Sequence, residues 1–175
     1  MTTSGSFRID TLISSVAHIV STHAMMPNMT LGTSIDEQIP SVLFGDIDRI
    51  EQALIIVIER ALIQRPNLPV ILSCALIRRS HDRATISFSV TQFLDGSSPP
   101  VPPLPHTMVD EDFFTECPEE LSLKIANRII RENGGKLLLR PPNNRMEEVC
   151  FWVSLGVAPD APVSVSDLPC PPALH

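Results

Sequence analysis

Nowhere does this 175-residue chain carry an apolar run near the ~20 residues needed to span a bilayer. Its opening, Met1-Thr-Thr-Ser-Gly-Ser6, is polar and has no signal-peptide pattern, so a cytoplasmic protein without a membrane partner is expected. No Lys/Arg cluster forms a stripe and the formal net charge is −7, which argues against nucleic acid as a partner. Cys74, Cys117, Cys150 and Cys170 include no C-x-x-C pair, so they read as buried or incidental thiols in a reducing compartment rather than metal ligands. The five histidines show no ligand spacing. His23 falls on the inner stripe of the first helix as a hydrogen-bonded core or edge residue, and His81, beside Asp82 and Arg83, reads as a hairpin tip. Glycine is scarce, with only 7 residues.

What is present is enough apolar residue, 43% of the chain, for one domain with a core. Proline, at 17 residues, runs above its usual ~5% share. The excess is local, between Pro99 and Pro105 and between Pro159 and Pro172. Ile9, Leu12, Ile13, Val16, Ile19 and Val20 recur at helical spacing and predict a helix over 8–25, ended by Pro27. A strand over 29–35 follows. Asp46 suits the N-cap of a second helix, 47–63, with Asp48 and Glu51 at its positive end. That helix is apolar nearly all round between Ala53 and Ile58, so deep burial is expected.

The run 70–77 and the alternating 85–91 predict two strands joined at the polar tip Arg79–Arg83. Residues 93–117 have no usable period. Pro118, with Glu119 and Glu120 beside it, suits the first turn of a third helix, and Asn133-Gly-Gly135 suits its end. Strands over 136–140 and 149–155 then form a closing hairpin across Pro141–Asn144. From residue 158 to 175 the chain is a Pro-rich tail, expected to be disordered because it cannot bury enough to fold alone. The order predicts an α/β sandwich with about three helices on one face of a mixed sheet.

Three stretches carry a resemblance. Phe7-Arg-Ile-Asp-Thr-Leu-Ile13 resembles the opening of the catalytic domain of hybrid histidine kinases. Gly45-Asp-Ile-Asp-Arg-Ile-Glu-Gln52 is similar to their G-D-x-x-R-L-x-Q signature. Glu120-Leu-Ser-Leu-Lys-Ile-Ala-Asn-Arg-Ile-Ile-Arg-Glu-Asn-Gly-Gly135 resembles their second glycine box, with its first two glycines replaced by Glu120 and Ser122. The resemblance covers roughly 7–157. It implies the two-layer α+β sandwich of the histidine kinase, gyrase and Hsp90 superfamily (the Bergerat fold), with a mainly antiparallel sheet and an ATP lid over 93–117.

The same resemblance implies a nucleotide pocket whose usual chemistry is missing. The N-box asparagines, which in the family hold Mg²⁺ and phosphate oxygens, fall on Ile56 and Arg60, and isoleucine offers magnesium no oxygen. The adenine-binding Asp of the first glycine box falls on Val90 and its first Gly on Gln92, while Asp95-Gly96 would return only in a bulged register. At the phosphate end Glu120 and Ser122 put side chains where backbone N–H groups would cradle an anion. Glu116 and Glu119 add like charge that the helix dipole, worth ~0.3–1 kcal/mol, does not offset. Arg60 either pairs with Glu120 to fill the emptied pocket or snorkels to solvent.

In place of the lid, Ser97 to Pro105 carries three P-x-x-P spacings. They run from Pro99 to Pro102, from Pro100 to Pro103 and from Pro102 to Pro105. This is either a docking peptide for an SH3-type domain, though without the flanking basic residue such sites favour, or a stiff substitute for a lid. Phe113-Phe114 resembles the lid's phenylalanine stretch and is expected on the core. No histidine has the family's phosphoacceptor context. The resemblance therefore implies a pseudo-ATPase acting as an interaction module in phosphorelay signalling. Its partner would be a histidine-containing hairpin or a receiver domain, with no cofactor and no catalytic or metal residue. The competing expectation is a divergent kinase domain that still binds nucleotide, with Mg²⁺-free binding left open.

Overall fold

The computed structural model describes residues 5–23, 30–94, 115–116, 121–140 and 146–158. The docking-peptide prolines Pro99, Pro100, Pro102, Pro103 and Pro105 lie outside the described residues. So do Phe113, Phe114, Pro118, Glu119, Glu120 and the tail from 159, together with Cys117 and Cys170.

In chain order the elements are β1 (Gly5–Phe7), α1 (Ile9–His23), β2 (Leu31–Ile35), β3 (Leu43–Gly45), α2 (Ile47–Gln64) and β4 (Val70–Arg79). They continue with β5 (Arg83–Phe93), β6 (Thr115–Glu116), α3 (Leu121–Glu132), β7 (Lys136–Arg140) and β8 (Met146–Val157). All eight strands join one sheet along the path β1-β3-β8-β5-β4-β2, with β7 on β8 and β6 beyond it. Only β2 on β4 runs parallel; every other pairing is antiparallel. This is the mixed, mainly antiparallel α+β sandwich expected from the sequence.

The period-2 alternation decides which side of the sheet the helices cover. Ile86, Phe88 and Val90 of β5 and Val149, Phe151, Val153 and Leu155 of β8 share one core with Leu12, Val16 and Val20 of α1. Leu54, Val57 and Ile58 of α2 and Leu123, Ala126 and Ile130 of α3 complete it. Phe88 faces Phe151 in register, their rings stacked with centroids 5.1 Å apart. Burial of such side chains, at roughly 1.5–3 kcal/mol each, is what fixes the register. The other face of β5 is not a solvated one, because Ser87, Ser89 and Thr91 are buried as well. There Glu148, 1% exposed, accepts a hydrogen bond from Ser89 Oγ and meets Arg140 Nε at 3.2 Å.

The local signals behave as their chemistry requires. Asp46 caps α2, its Oδ1 accepting from Arg49 N at 3.2 Å. At the end of α3, Gly134 takes φ +71°, Gly134 N bonds Arg131 O at 3.0 Å and Gly135 N bonds Ile130 O at 2.9 Å. This double closure satisfies the last carbonyls of the helix. His23 is an exposed edge residue whose Nδ1 lies 3.0 Å from Glu59 Oε1, tying α1 to α2. Three strands escaped the sequence reading. β1, β3 and β6 are two or three residues long and too short to show a period. The hairpin strands also extend past their expected ends, and β8 begins at Met146 rather than 149. No helix among the described residues is long and apolar enough to cross a membrane.

Candidate functional site

Ile56 and Arg60 lie one turn apart on α2, and Val90 and Gln92 lie on the same face of β5. The fold brings two of these four together with residues the sequence reading did not name. Arg60 is not snorkelled to solvent. Its side chain is 8% exposed, and Nη1 donates to Glu147 Oε1 at 3.1 Å. Glu147, itself 14% exposed, also meets Arg65 Nε at 3.6 Å. Glu147 sits directly across the β5–β8 ladder from Gln92. Gln92 Nε2 donates to the backbone oxygens of Arg65 at 3.2 Å and Leu68 at 3.4 Å, closing the turn that follows α2.

The reason for this knot is geometric. A helix ending above the edge of a sheet leaves its last carbonyls without intrahelical partners. Gln92, arriving at the end of β5, supplies an amide to the loop just beyond them. Arg60 points to the same corner, where a buried guanidinium requires a carboxylate. Odd-numbered residues of β8 face the helices, so Glu147 meets that need. A reading that starts β8 at Val149 leaves Glu147 in a loop and hides it. Among the described residues, Glu147 is a carboxylate held by Arg60, and Glu120 lies outside them.

The remaining positions behave differently. Val90 is part of the core, and Ile56 is half-buried against it. Ser122 lies in the first turn of α3 and is half-buried. Glu120 lies outside the described residues, as do all five docking-peptide positions, Pro99, Pro100, Pro102, Pro103 and Pro105, and none of them is assigned a place in the site. No group of three or more His, Cys, Asp or Glu that could hold a metal occurs among the described residues. Of the thiols, Cys74 and Cys150 are buried and reduced. Burial pushes each up to about 12, with the Glu148 charge adding to the effect at Cys150. Neither is a nucleophile near neutral pH.

No protein-family model matches the chain, and no curated protein sequence matches it significantly. Solved structures do. Full-length ShkA in complex with AMPPNP superposes at TM-score 0.66 and 18% identity, covering 91% of this chain and 32% of that one. The catalytic domain of the histidine kinase ThkA (TM1359) superposes at TM-score 0.56 and 21% identity, over 86% of this chain and 95% of that domain. ThkA in complex with the response regulator protein TrrA superposes at TM-score 0.54 and 21% identity, over 90% of this chain and 42% of that one. The chain has the histidine-kinase-like ATPase fold. It spans about a third of ShkA and nearly all of the isolated ThkA catalytic domain. Within that fold the Arg60–Glu147–Gln92 knot lies where α2, β5 and β8 meet.

Proposed function

We propose that this domain keeps the histidine-kinase-like ATPase fold without its nucleotide chemistry, and serves two-component signalling as a protein-interaction module. The observation that carries the reading is the Arg60–Glu147 ion pair at the second N-box position. Magnesium needs oxygen ligands in near-octahedral array, and this corner presents a cation already paired with its carboxylate. Ile56, half-buried on the core, offers no oxygen either. Val90 has no acceptor for an adenine amino group, and the Gln92 amide is engaged with the α2–β4 turn. These residues do not fit Mg·ATP. Support for a signalling partner comes from ThkA, whose histidine kinase has been solved in complex with a response regulator. A cytoplasmic setting, with a receiver or a histidine-containing hairpin as partner, accords with this reading, as does the Pro-rich stretch acting as an SH3-type docking peptide.

The test is titration with ATP, with and without Mg²⁺, by calorimetry and thermal shift. Absence of heat and of any melting shift at millimolar nucleotide is the expected result. Saturable, Mg²⁺-dependent binding would overturn the proposal in favour of a divergent kinase domain. Saturable binding indifferent to Mg²⁺ would overturn it too, making nucleotide a structural ligand.

A further inference from the structure

The start of α2 and the end of α3 are tied by Arg49 Nη1 and Glu132 Oε2 at 3.5 Å. Beside this tie lie two depressions of about 310 and 520 Å³ that share Arg128 and Glu132 as a common wall. Lys124 and Arg131 line the larger, and Arg49 and Ile125 the smaller. Among the described residues Glu132 is the one carboxylate lining either depression, and it pairs with two of the four lining cations, Arg49 and Arg128, on a chain whose net charge is −7. The surface is also apolar where a soluble helix is normally polar. Leu121 is 72% exposed and Ile125, one turn on, is 44% exposed, at the same end of α3 as Lys124.

We infer that this α2–α3 face is a docking groove for an acidic, amphipathic helix of a protein partner, an inference that rests on reading the domain as an interaction module. Leu121 and Ile125, one turn apart on α3, give an exposed apolar strip against which the apolar face of a partner helix can pack. The cations beside them select acidic flanks and speed encounter more than they add affinity. A basic helix meets Lys124 and Arg131 together with two arginines that share one carboxylate, Glu132. Among the described residues lining the two depressions, cations outnumber carboxylates, opposite to the sign of the whole chain, which is what gives the preference for an acidic partner. No residue of the knot around Arg60 lines either depression, so the groove is distinct from that corner.

The probe is a fluorescein-labelled helical peptide with leucines on one face and glutamates flanking them, compared by anisotropy with a twin carrying lysines in place of the glutamates. The acidic peptide is expected to bind saturably, at least about tenfold tighter than its basic twin, and more weakly as salt rises. Ile125→Ser and Arg128→Glu, both at exposed positions, are each expected to weaken it about tenfold while the melting temperature stays put. No saturable binding by about 100 μM, equal binding of the twins, or affinity unmoved by both substitutions would each overturn the inference. A dimer in sedimentation that Ile125→Ser dissolves would also overturn it, assigning the face to a second copy. The nucleotide titration keeps the two readings apart. Heat on adding ATP with the acidic peptide still bound sinks the loss of nucleotide chemistry and leaves the groove standing. No peptide binding and no ATP heat sinks the groove alone.

Discussion

Arg60 and Glu147 have both left water almost completely, and their ion pair offsets the cost of burying each charge. Removing one partner strands the second, a loss that ordinarily costs about 3–5 kcal/mol, whereas removing both in favour of apolar side chains is often neutral. Arg65 lies 3.6 Å from the same carboxylate and is half-exposed, so it softens the loss of Arg60 more than a lone pair would allow. Arg60→Met is therefore expected to lower unfolding stability by about 3 kcal/mol in urea titration. Arg60→Met combined with Glu147→Leu should return to within about 1 kcal/mol of the parent. A single substitution costing under ~1 kcal/mol, or a double costing the sum of its parts, would mean the two side chains are not a desolvated pair.

At the scale of elements, the sharpest dependence on single atoms is the stop of α3. Gly134, at φ +71°, uses a left-handed conformation with open space around its α-carbon, so Gly134→Ala costs about 1–2 kcal/mol of backbone strain and no more. Gly135 is different in kind. A β-carbon there would stand 1.9 Å from the carbonyl oxygen of Trp152 and 2.8 Å from Ile130 Cγ2. Gly135→Ala must push α3 off the β7–β8 hairpin and is expected to cost at least about 3 kcal/mol, visible as a far larger drop in melting temperature than Gly134→Ala produces. Equal effects would show that only the backbone conformation matters. This stop was legible in Asn133-Gly-Gly135, as were α1, α2, β4 and β5, because each announces itself by period, cap or turn chemistry within its own residues. β1 and β3 did not. Their three-residue lengths carry no period, and they become strands only because they pair with each other and with β8. The site divided along the same line. Arg60 was visible as an oddity on an apolar helix, but its burial and its partner depend on Glu147, whose place on β8 is set by an eleven-residue ladder with β5. Chain-local reasoning starts that strand at Val149 and places the needed carboxylate in a loop.

For the molecule as a whole, the two faces of the sheet each hide one thiol, Cys74 of β4 against the helices and Cys150 of β8 opposite them. Both are raised from 9.0 to about 12 by burial, so the folded protein keeps its protons where the unfolded chain releases them. The sign follows directly. A raised folded pKa gives stability that is full below about pH 9 and is lost progressively as pH climbs toward 12. By about pH 10.5 the loss should be on the order of 2 kcal/mol per thiol relative to pH 8. Few other groups obscure this window, because the chain has no tyrosine and its only lysines are Lys124 and Lys136. Urea midpoints are therefore expected to fall steeply across it, and Cys74→Ala with Cys150→Ala should flatten that fall even though the cavities lower stability at every pH. The same burial predicts that alkylation near neutral pH, mapped by peptide mass, leaves Cys74 and Cys150 unmodified until denaturant is added. A pH dependence identical in the doubly substituted protein would mean that the two thiols are not held protonated by burial, and rapid native labelling of either residue would mean that its face of the sheet opens far more readily than a continuous core permits.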